Sequence, residues 1–408
     1  MKKKEKDIII IGGGAAGFFA AASSAENNPG NNVIILEKAN TVLSKVKISG
    51  GGRCNVTNGC TDPAELIKYY PRGGKELLSP FHRFSSGDTI EWFERHGVKL
   101  KTEPDGRIFP VSDDSLTIVD CLNDTVQKAG IKVFNQHGVN NIRKNMQGDW
   151  TITTSDKEFH ANSVIICSGS SVSVWKMIET VGHTIETPVP SLFTFNINDK
   201  RIRDIPGISV KNTDIKIEGT KLKSGGPILI THWGMSGPGI LKISAWGAKE
   251  LHKMDYKFKL SINWLSGMNQ EKAKEKLISI KNNNLTRRIY SFSPFEIPIR
   301  LWERFLEYIN LDKDLKWNNV SQSLITNLAS ELTDSSFNVS GKSTFKEEFV
   351  TCGGVRRSEI DFKNMESKLN KGLFFAGEVI DIDALTGGFN FQAAWTTGWI
   401  AGISASTN

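Results

Sequence analysis

The chain has few cysteines and no long apolar run, and both absences narrow the class of protein. Its five cysteines among 408 residues are scattered and odd in number, whereas a secreted disulfide framework uses closely spaced pairs. No apolar run approaches the roughly 20 residues that span a bilayer, and no C-x-x-C pair occurs. The sequence therefore disfavours a disulfide scaffold, a membrane-spanning protein and a thioredoxin-like redox centre.

A strong charge bias and a targeting segment are also missing. The net charge is +7, and the most basic stretch, residues 200–223, has seven Lys or Arg against three acids. Such a run is more typical of a solvated strand face than of a nucleic-acid footprint. Lys2 to Lys4 precede an apolar run as in a signal peptide, but Asp7 abuts that run and three glycines interrupt it. We therefore expect a cytoplasmic protein with a small-molecule substrate and no nucleic-acid partner, and the oligomeric state stays open.

What is present at the start of the chain is a nucleotide-binding pattern. Ile8 to Ile11 form an unbroken apolar run, typical of a parallel strand buried on both faces. The next six residues fit G-x-G-x-x-G: Gly12, Gly13, Gly14, Ala15, Ala16 and Gly17. In that motif the glycines form a tight turn, let the backbone approach a pyrophosphate and let the helix pack closely. The following helix would offer free N–H groups to the phosphates.

A second apolar run, Val33 to Leu36, ends in Glu37 and Lys38. Glu37 lies twenty residues after Gly17, where an acid hydrogen-bonds the ribose hydroxyls of an adenosine. An acid there disfavours a 2′-phosphate, so the pattern predicts FAD or NAD rather than NADP. Strand, glycines, helix, strand and acid in this order are far more specific than isolated glycines.

The stretch from Lys45 to Asn58 is rich in glycine and small polar residues. Such a composition cannot form a core, so it predicts a loop whose backbone approaches a ligand closely. A flavin is the ligand expected, with Gly50, Gly51, Gly52, Arg53, Cys54 and Asn55 as candidate contacts. Arg53 could also offer a planar donor fork to a phosphate or a substrate carbonyl.

The run from Ile48 to Asn58 resembles the signature of the bacterial BaiN-like (YhiN-type) FAD-dependent oxidoreductases. These belong to the two-dinucleotide-binding-domain flavoprotein superfamily, and the resemblance extends over nearly the whole chain. It implies that the strand ending in Ser168 and Gly169 passes the pyrophosphate of the cofactor. It also implies a second FAD motif near the C-terminus, with the contacts Gly377, Glu378, Gly388, Phe389, Asn390 and Phe391.

Two acids near Glu378 leave that assignment open. Glu378 would accept from a ribitol hydroxyl, where many relatives in the superfamily carry Asp, but Asp381 and Asp383 lie close by. The helix after Gly388 would point its positive end at the flavin pyrimidine edge and stabilise negative charge there.

Cys54 and Cys60 raise the possibility of a redox disulfide. Their spacing is C-x5-C, whereas glutathione-reductase-like enzymes use C-x4-C after the first βαβ unit. We therefore favour Cys54 as a small residue packed beside the cofactor.

The two cofactor motifs lie more than 300 residues apart, so the domain that holds them must be discontinuous. We predict an α/β fold, a Rossmann-like FAD-binding domain built from residues 1–190 and 346–408. Its parallel sheet would carry an antiparallel crossover meander, formed by short runs between Lys132 and His160. Residues 191–345 would be an inserted substrate or lid domain, with a β part at about 191–265 and a helical part at about 266–345.

The insertion carries the second family motif, Thr231 to Pro238, with His232 as the candidate proton donor. A lone histidine is more often structural than catalytic, so both interpretations stay open. Gly341-Lys342-Ser343 imitates the end of a P-loop, but Ser336 stands where that motif needs glycine, which excludes an ATP site. No pattern suggests a metal site.

The sequence thus predicts an oxidoreductase that binds FAD and takes hydride from NAD(P)H for an electron-poor acceptor such as an enone C=C. Only one dinucleotide fingerprint is present, so NAD(P)H would bind transiently. Two alternatives remain: a flavin-dependent RNA-modifying protein, which the pI near 9 favours, and a non-catalytic flavin sensor.

Overall fold

The computed structural model describes residues 6–146, 148–343 and 350–407. The chain divides into two compact units: unit 1 is Met1–Val189 with Val350–Asn408, and unit 2 is Pro190–Phe349. Each unit has its own buried apolar cluster. The expected boundary at residues 345 and 346 lies outside the described residues. Among the described helices, none is both long and apolar enough to cross a membrane.

The first segment of unit 1 alternates strands and helices. Its strands are β1 (Asp7–Ile11), β2 (Asn32–Leu36), β3 (Thr57–Asn58), β4 (Leu100–Thr102), β5 (Arg107–Pro110), β6 (Lys132–Phe134), β7 (Asn141–Lys144), β8 (Trp150–Thr153), β9 (Glu158–Ala161), β10 (Ser163–Ile166) and β11 (Ile185–Ser191), whose last two residues belong to unit 2. Its helices are α1 (Ala15–Asn27), α2 (Ser44–Gly52), α3 (Pro63–Leu66), α4 (Gly74–Arg83), α5 (Ser86–Arg95), α6 (Leu116–Lys128) and α7 (Val172–Glu179).

Unit 2 begins with strands and continues with helices. Its strands are β12 (Thr194–Ile197), β13 (Ser209–Val210), β14 (Asp214–Ile217), β15 (Lys223–Gly225), β16 (Ile228–Thr231), β17 (Gly234–Ser236), β18 (Phe258–Asn263) and β19 (Ser335–Ser343). Its helices are α8 (Pro238–Trp246), α9 (Ala248–Lys253), α10 (Gln270–Asn283), α11 (Ile299–Tyr308) and α12 (Gln322–Thr333). All eight strands join one antiparallel sheet.

The last segment of the chain completes unit 1. It contains β20 (Val350–Val355), β21 (Ile360–Asp361), β22 (Glu366–Ser367), β23 (Leu373–Phe375) and the long helix α13 (Phe389–Thr407). The main sheet has the order β21-β22-β23-β10-β1-β2-β6, and its five strands from β23 to β6 are parallel. The centre of this sheet is therefore built from strands that lie more than 360 residues apart in sequence.

Small residues let two helices pack tightly on one face of this sheet. A Cβ at Gly398 of α13 would lie 2.6 Å from the carbonyl oxygen of Ala16, and one at Gly402 would lie 2.2 Å from that of Ala20. Both distances are shorter than any real contact, so only glycine permits the approach of α13 to α1.

Three details differ from the sequence-based expectation. Val133 and Phe134 lie in β6, a parallel strand at the sheet edge, so the meander consists of β7, β8 and β9 alone. The expected loop from Lys45 begins inside α2, which is interrupted at Ser49 to Gly51 by non-helical backbone. Helices α8 and α9 lie within the part that was expected to be β, at about 191–265.

Candidate cofactor and catalytic sites

The turn after β1 packs closely against the rest of the protein at two of its glycines and has free space beside a third. A Cβ at Gly12 would lie 2.5 Å from the carbonyl oxygen of Cys167, and one at Gly17 would lie 2.0 Å from that of Gly12. At Gly14, by contrast, no atom lies within 4 Å of that position. The space beside Gly14 is therefore where a ligand can approach the backbone.

The helix that follows presents unbonded amides to this space. The first helical hydrogen bond of α1 is donated by Phe18 N to Gly14 O (3.0 Å). The amides of Ala15, Ala16 and Gly17 precede it, and no acidic residue occupies the first turn. Free N–H groups and the positive helix end suit a pyrophosphate.

Glu37 is held directly beside the turn. Its Oε2 accepts from Gly13 N (2.7 Å) and its Oε1 accepts from Ala39 N (2.8 Å). Each carboxylate oxygen keeps a further lone pair for a ribose hydroxyl. Lys38 is exposed and packs beside Gly138.

A second group of polar atoms follows β10. The hydroxyl of Ser168 is buried and has no hydrogen-bond partner among the described residues, and the same holds for Thr351. Gly169 has φ +58°, and a Cβ there would lie 3.6 Å from Glu378 Oε2. Unpartnered buried hydroxyls are costly, so they favour a polar ligand at this position.

The carboxylates near the C-terminal motif separate into two kinds. Asp383 is fully buried and pairs with Arg72, and Asp381 pairs with Arg357. Glu378 is partly exposed and accepts from Lys45 Nζ (2.7 Å) and Thr351 N (3.1 Å). All three acids have a basic partner, but the two aspartates are buried whereas Glu378 is partly exposed, so Glu378 is the acid best placed to contact a cofactor.

The glycine turn before α13 is fixed by its neighbours. Gly388 has φ +91°, and a Cβ there would lie 2.4 Å from Thr57 O. With its amide oriented to satisfy its neighbours, the side chain of Asn55 accepts from Gly388 N (2.9 Å). Asn390 bonds both the N–H and the carbonyl of Ala384. These contacts connect the segment around Asn55 with the N-terminus of α13.

Two aromatic residues of this motif contact their own chain. Phe389 stacks on Tyr69 at 4.1 Å between ring centroids, and Phe391 stacks on Trp395 at 5.5 Å. Tyr69 and Lys45 therefore lie beside predicted contact residues, although sequence reasoning did not select them. Lys45 is the first residue of the glycine-rich stretch, and this position is the sequence signal that could have selected it as a contact residue.

One terminal nitrogen of Arg53 is used for contacts within the chain. Its Nη1 donates to Glu103 Oε1 (2.7 Å), and its guanidinium stacks over Phe109 (4.0 Å). The hydrogen bond that Arg53 donates to Glu103 raises the pKa of Arg53. The side chain thus holds its own loop in place.

The surroundings of Cys54 and Cys60 raise the pKa of both thiols. Burial raises the pKa of Cys54 to about 12, and burial followed by the charge of Asp62 raises the pKa of Cys60. All five cysteines are described, and none forms a disulfide. A thiolate relay at this position would have to overcome the cost of ionising Cys54.

His232 lies at the tip between β16 and β17 in unit 2 and is exposed. It lines a cleft of about 240 Å³ together with Asn196, Asp199, Arg203 and Trp233. Beside it, the hydroxyl of Thr231 is buried without a partner among the described residues. The cleft that His232 lines therefore contains hydrogen-bond donors and acceptors.

Comparison with known proteins agrees with the cofactor cradle of unit 1. The chain is a Rossmann-type FAD-binding flavoprotein of an oxidoreductase class. More specifically, it belongs to the family described as HI0933-like protein Rossmann domain, whose profile matches residues 6–404.

Curated relatives carry two different activities. The 3-dehydro-bile acid delta(4,6)-reductase of Clostridium scindens is 26% identical over 391 residues, which cover 92% of each chain. The ribosomal RNA dihydrouridine synthase of Escherichia coli is 29% identical over 382 residues, which cover 90% of each chain.

Solved structures show the same fold. The 3-ketosteroid-delta4-(5alpha)-dehydrogenase from Rhodococcus jostii has a TM-score of 0.54 at 14% identity, covering 99% of this chain and 97% of that one. A flavocytochrome c3 fumarate reductase has a TM-score of 0.51 at 16% identity. The match covers 99% of this chain and 78% of that one.

Proposed function

We propose that this protein is an FAD-dependent reductase that uses NAD(P)H to saturate a C=C bond conjugated to a carbonyl group. The observation that carries the cofactor assignment is the turn after β1, which is sterically closed at Gly12 and Gly17 and open at Gly14. The acceptor class comes from the two named relatives. A 3-oxo-Δ4,6 steroid and a uracil ring both contain a C=C bond conjugated to a carbonyl.

Residues from both ends of the chain would hold the cofactor. The amides after Gly14 would bind the pyrophosphate, Glu37 the adenosine ribose, and Ser168 with Glu378 the ribityl region. The segment Gly50 to Asn55 and the N-terminus of α13 would contact the isoalloxazine. Bound FAD supplies two-electron hydride chemistry that no protein side chain provides.

Two side chains were candidates for direct participation in the reaction. The guanidinium of Arg53 is bound by Glu103, so its expected role is to hold the loop. His232 is exposed in a polar cleft and is the candidate proton donor to the substrate.

A second candidate function is reduction of a uridine within RNA. Two relatives at 29% and 28% identity carry the name ribosomal RNA dihydrouridine synthase, and each match covers at least 90% of this chain. The same conjugated C=C chemistry would apply, with a polyanionic substrate instead of a small molecule.

The experiment is a spectroscopic titration followed by product analysis. Purified protein should be yellow and release FAD on denaturation. Anaerobic NADH or NADPH should bleach the visible absorption, and a 3-oxo-Δ4 steroid or a uridine-containing RNA should restore it with formation of a saturated product. If the protein is yellow but neither NADH nor NADPH bleaches its absorption, it is instead a non-catalytic flavin sensor.

His232→Ala tests the proposed proton donor. Turnover should fall by about 10²–10⁴-fold, whereas bleaching by NAD(P)H should be unchanged, because that step needs no such proton. Arg203→Ala in the same cleft serves as a control for removal of a neighbouring side chain. If both steps remain intact in the His232 variant, the histidine is structural.

A further inference from the structure

A lysine joins the two cofactor motifs of unit 1. Lys45 Nζ donates to Glu378 Oε2 (2.7 Å), although 333 residues separate the two in sequence. Lys45 lies in the first turn of α2, and this helix begins beside the glycine turn after β1, because Leu43 N donates to Gly13 O (2.8 Å). The side chain of Lys45 therefore extends from the turn expected to bind the pyrophosphate to the acid expected to bind the ribityl chain.

The surroundings of this ion pair also belong to that turn. A Cβ at Gly377 would lie 2.9 Å from the Cβ of Ala16, one of the residues with a free amide at the start of α1. Glu378 follows directly, and its Oε1 accepts from Thr351 N (3.1 Å). The hydroxyl of Thr351 is buried and has no hydrogen-bond partner among the described residues. Lys45, Glu378 and the free amides of α1 therefore border the same polar site.

The charges at this site do not balance once the cofactor is counted. The pyrophosphate of FAD carries two negative charges, and Glu37 and Glu378 add two carboxylates. The free amides of α1 favour an anion through their dipoles but carry no net charge. Like charges at close range repel one another. Among the described residues, Lys45 is the only cation that bonds to either acid.

The pairing of Lys45 with Glu378 can be exchanged at small cost. The lysine side chain is 58% exposed and that of the glutamate 23%. Exposed ion pairs add little to stability, because water solvates both charges. The carboxylate keeps the hydrogen bond from Thr351 N when the lysine leaves. Lys45 is thus a cation that can turn to a phosphate without breaking a buried contact.

We propose that Lys45 is a cofactor-binding residue that neutralises the pyrophosphate of FAD and so allows a dianion to bind beside Glu37 and Glu378. A lysine binds phosphate as a point charge, and its flexible stem lets one ammonium group serve two acceptors. The proposal deepens the proposed function and rests on it for the identity of the cofactor. It concerns binding alone, so its test needs no turnover.

The test measures the affinity of the full chain for FAD, from the change in FAD fluorescence when the cofactor is removed and added back. Lys45→Met should weaken binding by about ten- to hundredfold, because a charge-assisted hydrogen bond is lost, and Lys45→Arg should retain most of the affinity. The matched control is Lys47→Met. Lys47 is also exposed on α2, but residues two apart on a helix do not share a face, so this variant should bind FAD like the wild type.

A second background separates contact with the cofactor from neutralisation of Glu378. The loss caused by Lys45→Met is measured again in the Glu378→Gln variant, whose amide oxygen can still accept from a hydroxyl. If Lys45 acts on the pyrophosphate, the loss persists in this background. If Lys45 only neutralises Glu378, the loss disappears once the carboxylate is gone, and the proposal is overturned.

Acetylation of the holoenzyme with acetic anhydride, read by peptide mass spectrometry, tests the contact without a substitution. FAD should slow the acetylation of Lys45 but not that of Lys47. Equal acetylation of Lys45 with and without FAD would overturn the proposal. Full FAD affinity in Lys45→Met would also refute the role of Lys45, and it would leave the reductase standing. A protein that holds FAD through Lys45 but is not reduced by NAD(P)H would leave the proposal standing and refute the reductase.

Discussion

The two glycine-rich turns of unit 1 use glycine for different reasons. In the first turn, Gly12 and Gly17 are required because the chain's own carbonyl groups occupy the space of a side chain. In the second turn, Gly51 and Gly52 are exposed, have φ of +69° and +83°, and have no atom within 4 Å of a Cβ. Packing requires glycine in the first turn, and backbone conformation favours glycine in the second. The two turns should therefore respond differently when a glycine is substituted, although both are rich in glycine.

The largest expected effect is on packing in the first turn. Gly17→Val should lower the free energy of unfolding by about 3 kcal/mol or more, because its Cβ would lie 2.0 Å from Gly12 O and force α1 away from β1. Urea denaturation measures this effect. An unchanged midpoint would show that the turn can rearrange, and the contrast between the two turns would disappear.

Gly14→Val should separate binding from stability within the same turn. Its backbone is extended (φ −94°, ψ −167°) and its Cβ position is open, so the variant should fold normally. The side chain would occupy the space of the pyrophosphate and weaken FAD binding by about a hundredfold. Gly59→Val, at an exposed glycine that also lacks a positive φ, is the control for FAD content. Full FAD content in the Gly14 variant would place the cofactor elsewhere.

Glu37→Lys should weaken FAD binding by roughly tenfold or more. It replaces an acceptor of ribose hydroxyls by a cation, and charge-assisted hydrogen bonds contribute about 1.5–3 kcal/mol each. Glu26→Lys, at a partly exposed acid in α1, is the comparison for the change of charge. Retention of FAD by the Glu37 variant would remove Glu37 from the site.

The smallest effect is expected in the second turn. Gly51→Ala should cost about 1–2 kcal/mol of stability, the usual cost of a left-handed backbone for a residue with a Cβ. The Gly14→Ala variant should be about as stable as the wild type. Thermal unfolding of the two variants measures the difference in their stability. Equal stabilities would mean that the second turn relaxes at no cost.

The sequence predicted the first turn better than the second because its signal is local. Strand, glycines, helix and acid follow one another within about thirty residues, and the structure places Glu37 at hydrogen-bond distance from Gly13. The role of Arg53 depends on Glu103, fifty residues away, and no spacing rule connects them. The unpartnered hydroxyl of Thr351 likewise becomes visible only once β20 is placed in the fold.

Helix and strand assignments failed where tertiary contacts outweigh local preference. Val133 and Phe134 form a short alternating run, yet they lie parallel to β2 at the sheet edge. Helices α8 and α9 lie within the part expected to be β, since their small residues pack on the sheet of unit 2.

The packing of α13 on α1 also determines when unit 1 can fold during synthesis. The N-terminal strands and α1 leave the ribosome long before β23 and α13, which cover them in the finished protein. At about 5–20 residues per second, the residues of unit 2 alone delay that covering by roughly 8–30 s. During this interval the face of α1 that receives Gly398 and Gly402 is exposed on the nascent chain. We therefore expect unit 2 to complete its core first, and the cofactor cradle to form only after α13 has emerged.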